Sequence, residues 1–300
     1  MRALFVFTPS ESKRLIARAV ASLEEVRTAQ REANILIGHG STNVYVAEEI
    51  LGREEVAARF DRDKYLSGLT VCGTLCSTLP AEKPPILLLR RGVVAPPPAT
   101  MGEMLRGFDR ESIVIKGANA IDPEGNAAVL MAHPDGGTIG WSIGIIAARG
   151  VQLIVPVGLE KLIPSVKKAV AMCGQSRLDY AQGLKVGLIP LPGARVITEI
   201  EALRVLAGVE SFHVASGGSH GSEGAVTLVA EGSTGEVESA IAVAESVKGE
   251  PPLAPRKGIC ELCEPTSPAQ PGSYQMDRTV QRCRFETMRE EELPDYLRDR

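Results

Sequence analysis

Three polar residues that follow a short apolar run near the middle of the chain have side chains that could carry chemistry. The run Ile113–Ile115 has the β-branched, bounded pattern of a buried parallel strand, and Lys116, Asn119 and Asp122 come after it. Ligands of open α/β sheets bind beyond the carboxyl ends of strands. A partly buried lysine there can serve as a base or as an amine nucleophile. We therefore predict Lys116 and Asp122 as candidate catalytic residues, although Asp122 also suits a plain turn before Pro123.

A glycine-rich turn earlier in the chain has the pattern of an anion-binding site. Gly38 and Gly40 lie between a predicted strand and a predicted helix, and Ser41 and Thr42 follow them. The free backbone N–H groups and the positive end of a helix at such a turn favour a phosphate or a carboxylate. The two hydroxyl groups would add donors. An ordinary turn with a capping hydroxyl is the alternative interpretation.

Three further positions lie at the ends of predicted elements. Lys13 lies near the start of the first predicted helix, and Gly137 lies in a glycine turn before a predicted helix at 138–148. Lys161 follows a predicted strand at 153–157. Either lysine could be an ordinary solvated side chain or an anion ligand. With Asn119, we predict Gly137 and Lys161 as ligand-binding positions, whereas the residues around Lys13 favour a solvated surface lysine.

Apolar β-branched runs alternate with helical segments along the first two thirds of the chain, which predicts an α/β fold with a parallel sheet and flanking helices. Residues 195–250 have the pattern of a smaller α+β unit, in which Thr198 and Glu201 form a capping-box pattern. The composition changes at the proline-rich start of the last 50 residues. We therefore predict an α/β domain over 1–192, a small α+β domain over 193–250 and a C-terminal tail over 251–300.

Composition and charge argue against several classes of protein. The chain of 300 residues has 33 basic and 37 acidic residues, a net charge of -4, and hence no electrostatic footprint for nucleic acid or an anionic membrane. No apolar stretch reaches the ~20 residues that a membrane-spanning helix needs. The N-terminus lacks the apolar core and cleavage site of a signal peptide. We expect a cytoplasmic protein that binds neither nucleic acid nor membrane.

The tail contains a CxxC pair, Cys260 and Cys263, and a further cysteine, Cys283. Such thiols could bind zinc or cycle as a dithiol. A closed zinc site needs four ligands, whereas the tail has three cysteines and no histidine, so a fourth ligand would have to come from Cys173, an acidic residue or another chain. We therefore favour free or redox-active thiols, and we predict no metal and no cofactor.

With these residues in view, the first 190 or so positions resemble the superfamily of ribose-5-phosphate isomerase, glucosamine-6-phosphate deaminase and the CoA-transferases, and type A ribose-5-phosphate isomerase most of all. The resemblance lies in the order of the pieces. They are the capped helix with Lys13, the glycine turn with Ser41 and Thr42, the loop from Lys116 to Asn119 followed by Asp122 and Pro123, the Gly136 and Gly137 turn, and the strand followed by Lys161. The resemblance implies a Rossmann-like open parallel sheet, a small ferredoxin-like domain and a homo-oligomer.

The resemblance also implies a phosphate cradle formed by Lys13, Ser41, Thr42 and Lys161. The reacting groups of the isomerase differ here. The family's loop with two aspartates reads Lys-Gly-Ala-Asn at 116–119, and the helix that carries the family's glutamate has no carboxylate. Aldose–ketose isomerisation needs a base that moves a proton between adjacent carbons.

We therefore expect a protein that binds a small phosphorylated or carboxylated metabolite at the strand ends, as an isomerase-like enzyme with altered catalytic residues. The alternative is a non-catalytic metabolite sensor or a regulatory subunit of the same fold. A thiol or metal protein centred on Cys260 and Cys263 is a third option.

Overall fold

The computed structural model describes residues 1–79, 81–263 and 283–298, so parts of the predicted tail, 264–282 and 299–300, lie outside the described residues. The described residues form a mixed α/β fold with nine α-helices. The strands are β1 (Arg2–Phe7), β2 (Asn34–Ile37), β3 (Gly68–Val71), β4 (Thr74–Ser77), β5 (Leu87–Arg90), β6 (Val93–Ala95), β7 (Ile113–Ile115), β8 (Ala120–Ile121), β9 (Ala127–Met131), β10 (Gln152–Pro156), β11 (Gly187–Pro190), β12 (Arg195–Ile197), β13 (Glu210–Ser216) and β14 (Val226–Glu231). The helices are α1 (Pro9–Ser22), α2 (Glu24–Glu32), α3 (Ser41–Leu51), α4 (Arg53–Arg59), α5 (Met101–Met104), α6 (Gly137–Arg149), α7 (Val166–Met172), α8 (Glu199–Ala207) and α9 (Thr234–Glu245).

The main sheet has six strands in the order β12-β10-β7-β2-β5-β6. Its first four strands are parallel, as the sequence predicts, whereas β5 runs antiparallel to β2 and β6 runs antiparallel to β5. The α/β class is therefore confirmed, and the sheet is mixed rather than wholly parallel. The antiparallel pair forms one edge of the sheet, and β12 forms the other.

Both faces of the central strands are buried. The side chains of Ile113 and Ile115 pack into a core shared with α1 and α3, and Val114 between them packs into a second core with α5 and α6. This pattern follows from the two-residue period of a strand, which turns successive side chains to opposite faces. It explains why the strand is apolar throughout and does not alternate with polar residues.

The register brings three chain segments together at one edge of the main sheet. Ile37 pairs with Ile115, and Ile115 pairs with Ile154 on the next strand. Because these strands are parallel, the segments 38–42, 116–119 and 158–161 all leave the sheet at its carboxyl edge. The fold therefore positions side by side the three stretches in which most of the predicted site residues lie.

A smaller antiparallel sheet has the order β1-β14-β13, and α1, α8 and α9 share its core. The N-terminal strand β1 pairs along its whole length with β14, from Arg2 opposite Glu231 to Phe7 opposite Val226. The start of the chain thus shares a sheet with the segment at 193–250. The capping box predicted at Thr198 is confirmed at the start of α8.

Two further small sheets complete the fold. Strands β8, β9 and β11 form an antiparallel sheet, and β3 and β4 form a hairpin.

In the described part of the chain, no helix is both long enough and apolar enough to cross a membrane.

Candidate functional site

A cavity of about 220 Å³ opens at the carboxyl edge of the main sheet. Its lining comes mainly from the turn before α3, the hairpin of β3 and β4, the loop after β7, the end of β9, the start of α6 and the turn after β10. Seven of the residues predicted from the sequence line it: Gly40, Ser41, Thr42, Lys116, Asn119, Gly137 and Lys161. The sequence-predicted site is therefore largely one place in the structure.

The glycine turn before α3 is held by buried polar groups. The Asn43 side chain donates from Nδ2 to the carbonyl oxygen of Gly38 at 2.7 Å, and the Gly40 N–H donates to the carbonyl oxygen of Tyr65 at 3.1 Å. No side chain caps α3, and the buried hydroxyl of Thr42 has no hydrogen-bond partner among the described residues. An uncapped helix start beside an unpaired buried hydroxyl has donors available for a ligand.

The start of α6 contributes a second uncapped helix end. Gly136 and Gly137 both have positive φ angles, 81° and 59°. A β-carbon on Gly136 would lie 2.8 Å from Cα of Gly140, so the turn is too tight for a side chain there. No side chain caps this helix either. Two helix N-termini, each with a partial positive charge, therefore line the same cavity.

Three lysines line the cavity: Lys83, Lys116 and Lys161. Burial lowers the pKa of all three amino groups, and for Lys116 burial and the nearby charge of Lys161 lower the pKa to about 8. The Lys161 amino group donates to the carbonyl oxygen of Ala118 at 3.1 Å, and Lys83 donates to the Ser67 hydroxyl at 3.3 Å. Lys116 makes one described hydrogen bond, from its amino group to the carbonyl oxygen of His39 at 3.4 Å.

The charge of the lining is therefore strongly positive. Among the described lining residues, Glu286 is the sole carboxylate. Burial lowers these lysine pKa values because it leaves the ammonium groups poorly solvated, and Glu160 and Glu199 compensate the charge of Lys161 in part. An anion in the cavity would offset the poor solvation and the remaining positive charge.

His39 lines the cavity as a neutral ring. Its Nε2 atom lies 2.7 Å from the carbonyl oxygen of Pro84, and because a carbonyl can only accept, Nε2 carries the proton. Burial is the main cause that lowers the pKa of His39 to about 4, and the charges of Lys83 and Lys116 add to it. At neutral pH the ring therefore adds no charge to the cavity.

Lys13 lies outside the cavity lining. Its amino group forms an ion pair with Glu160 at 3.2 Å, and both side chains are mostly buried. Beside this pair, the buried carboxylate of Glu199 accepts a hydrogen bond from the Leu159 N–H at 2.9 Å and so supports the turn that carries Lys161. Burial is the main cause that raises the pKa of Glu199.

Two other predicted residues have structural roles. Asp122 is buried, accepts hydrogen bonds from the N–H groups of Asn126 and Val166 at 2.9 Å, and is not among the described lining residues. Its carboxylate thus joins the turn at Pro123 to the start of α7. Asp122 therefore has the turn role that the sequence offers as the alternative to catalysis. Gly38 lies under the Lys116 side chain and does not itself line the cavity.

Several residues of the site carried no signal in the sequence. Lys83 and Tyr65 lie in irregular segments outside any motif, and Glu199 reads as an ordinary first residue of a helix. Asn43, Tyr65 and Glu199 hold the turns of the site, and Lys83 contributes charge. Asn43 lies in the first turn of α3, and its place beside the predicted glycine turn is the one sequence signal that could have indicated it.

Cys260, Cys263 and Cys283 form no disulfide with one another or with the other described cysteines. Burial raises the pKa of Cys260 and Cys283, and Cys263 lines the cavity. Across residues 1–79, 81–263 and 283–298, no three cysteine, histidine or acidic side chains form a group that could hold a metal ion.

Comparison of this chain with protein-family models, with curated proteins and with solved structures finds no match in any of the three.

Proposed function

We propose that this protein binds a small phosphorylated or carboxylated metabolite in the cavity at the carboxyl edge of its main sheet. One observation carries the proposal: three poorly solvated lysines and two uncapped helix N-termini line a single cavity. Thr42 adds an unpaired buried hydroxyl at the same place. An anion would accept hydrogen bonds from all of these donors, and such charge-assisted bonds are the strong ones.

The volume of the cavity favours a small ligand. At about 220 Å³ it lies below the ~300–1,000 Å³ of typical drug-sized sites. The mixture of apolar residues such as Leu75 with the donors of the helix ends suits a short carbon chain that carries one anionic group. We take a sugar phosphate or a small carboxylate as the ligand class.

The order of elements supports membership of the ribose-5-phosphate isomerase and CoA-transferase superfamily as a divergent member. A capped α1 with Lys13, the glycine turn before α3, the loop after β7, the glycine turn before α6 and the turn with Lys161 follow one another as that resemblance requires. On this proposal the main sheet is Rossmann-like and the small sheet with α8 and α9 is ferredoxin-like. A cytoplasmic location belongs to the same proposal.

Whether the bound metabolite reacts divides the proposal in two. Lys116 has a lowered pKa and faces the cavity, which favours an enzyme with isomerase-like ligands and altered catalytic groups. The Asp122 carboxylate is bound within its turn, so Glu286 is the sole carboxylate among the described lining residues. A lining with so few carboxylates favours the alternative, a non-catalytic sensor or regulatory subunit.

Calorimetric titration with ribose 5-phosphate, inorganic phosphate and pyruvate tests the binding proposal. We expect at least one of these anions to bind. In thermal unfolding, the same anion should raise the melting temperature of the protein by mass action. The Lys161→Met variant should weaken that binding by roughly tenfold or more, because it removes a charged donor. Lys167→Met, on the exposed side of α7, is the matched control and should bind as the wild type does. Failure of every anion to bind would contradict the proposal.

We further propose that the protein forms a homo-oligomer through the outer face of the small sheet. Leu4 on β1 and Phe212 on β13 both pair with Val229 on the strand between them, so the three side chains share one face. Leu4, Val6, Phe212 and Val214 are about half exposed or more. The outward face of an antiparallel sheet is usually polar, and an apolar one suits burial against a second copy.

A further inference from the structure

The amino group of Lys116 has no strong partner, and of the other lysines around the site Lys83 alone is similar, with one described hydrogen bond of 3.3 Å to the Ser67 hydroxyl. Lys13 is paired with Glu160, and Lys161 donates to a carbonyl oxygen at 3.1 Å. Lys116 has no ion pair in the described part of the chain, and its one described hydrogen bond, to the carbonyl oxygen of His39, is 3.4 Å long. Its amine is therefore free to react.

The surroundings of Lys116 favour the uncharged amine. Lys161 repels a second ammonium group, and the N-termini of α3 and α6 add partial positive charge to the same cavity. The side-chain stem is also held in place, because its Cδ atom lies against Gly38. A positioned amine in a small cavity, whose surroundings raise its uncharged fraction, is the arrangement that makes a lysine nucleophilic.

From this geometry we infer that Lys116 forms an imine with the carbonyl carbon of an anionic aldehyde or ketone. The inference rests on the proposed function and narrows its ligand class to phosphorylated or carboxylated carbonyl compounds. The anionic group lies at Thr42 and Lys161, and the carbonyl carbon lies at Lys116.

The step balances without any oxidant or reductant. The lone pair of Lys116 Nζ forms a bond to the carbonyl carbon, and the carbonyl electron pair passes to its oxygen, which takes up a proton as the nitrogen loses one. The carbinolamine hydroxyl then takes a proton from solvent and leaves as water while the nitrogen lone pair forms the carbon–nitrogen double bond, and the iminium ion returns a proton to solvent. The product is an imine, and water is the one molecule released.

Reductive trapping on the full-length protein tests the inference. The protein is incubated with sodium cyanoborohydride and either ribose 5-phosphate or glyoxylate, and modified lysines are located by peptide mass spectrometry. We expect labelling of Lys116 to exceed that of exposed lysines such as Lys167 by at least about tenfold at pH 7, because a lowered pKa gives more free amine than the usual value near 10.4. It should also exceed that of Lys83 and Lys161, because the bound carbonyl carbon lies at Lys116. Excess inorganic phosphate should suppress it, and ribose without phosphate should label Lys116 poorly.

A variant separates this inference from the proposed function. Lys116→Arg keeps the positive charge but cannot form an imine, so it should lose the label at every probe concentration. Lys167→Arg, on the exposed side of α7, should retain both anion binding and the label. Anion binding without selective labelling of Lys116 by either probe would overturn the inference and leave the proposed function standing. Loss of both anion binding and labelling in the wild type would overturn both.

Discussion

The Cδ atom of Lys116 lies 3.0 Å from the position that a β-carbon on Gly38 would occupy. The lysine stem therefore lies across the glycine turn, and Gly38 needs no positive φ angle that an alanine would resist. We expect Gly38→Ala to displace the stem and to slow trapping of Lys116 roughly tenfold or more, because reacting groups must be closely positioned. Stability should change by less than about 1 kcal/mol, since the contact is to a flexible side chain. Trapping rate and chemical denaturation are the measurements.

Gly102→Ala is the matched control, because no atom lies within 4 Å of a β-carbon at that exposed position. It should trap at the wild-type rate. Equal trapping by Gly38→Ala would show that the stem is free to move and would contradict the close positioning of Lys116.

Replacement of Lys116 by methionine should stabilise the protein while abolishing its reactivity. The folded pKa of about 8 lies below the unfolded value near 10.4, so the folded state disfavours the ammonium form. At pH 7 both states are protonated and the full penalty, of order 3 kcal/mol, is present; it is relieved as the pH rises from about 8 to 10.4. We expect Lys116→Met to unfold at a higher urea concentration than the wild type at pH 7. This difference in stability between the two proteins should shrink above pH 8. No gain at pH 7 would contradict the poor solvation of this amine.

The hydroxyl of Thr42 should oppose stability and favour binding. It is buried without a described partner, and an unsatisfied buried hydroxyl costs about 1–3 kcal/mol. Thr42→Val should therefore raise the free energy of unfolding of the ligand-free protein and weaken phosphate binding several-fold. Thr42→Ser keeps the hydroxyl and should bind phosphate much as the wild type does. If both variants bind phosphate more weakly than the wild type, the loss of affinity comes from altered packing and not from the hydroxyl.

Local patterns predicted much of the site because parallel strands bring their following residues to one edge. Thr42, Lys116 and Lys161 each follow or lie close to a strand, and the register of β2, β7 and β10 makes these positions neighbours. Lys13 and Asp122 were predicted for the same site, yet Lys13 forms an ion pair with Glu160 and Asp122 accepts hydrogen bonds within a turn. Which of several plausible polar residues is engaged depends on tertiary contacts, and no local pattern contains that information.

The parts of the fold that the sequence did not predict depend on pairing between distant segments. The strand β1 pairs with β14, more than 200 residues away along the chain, and β5 enters the main sheet antiparallel to β2. A short apolar run looks the same whichever strand it joins. Lys83 reaches the cavity through the irregular connection before β5 and for that reason carried no signal.

The buried ring of His39 should make the protein sensitive to acid. Its folded pKa of about 4 lies below the unfolded value near 6.5, so the unfolded state binds more protons between these values. Stability from this residue is complete above pH 6.5 and is lost as the pH falls towards 4, by about 3 kcal/mol in all. We expect His39→Gln, which keeps a donor for the Pro84 carbonyl, to lose less stability over that range. Parallel stability curves for the two proteins would contradict the prediction.

The outer face of the small sheet should set the oligomeric state. Phe212 is 48% exposed and lies in one cross-strand row with Val229 and Leu4. Because aromatic side chains dominate the binding energy of interfaces, Phe212→Asp should raise the dissociation constant of the oligomer by at least about tenfold. Val93→Asp changes an equally apolar, exposed residue on the edge strand β6 and should leave association unchanged. Light scattering across a concentration series measures both, and a wild-type protein that stays monomeric throughout would show that this apolar face is not a contact between copies.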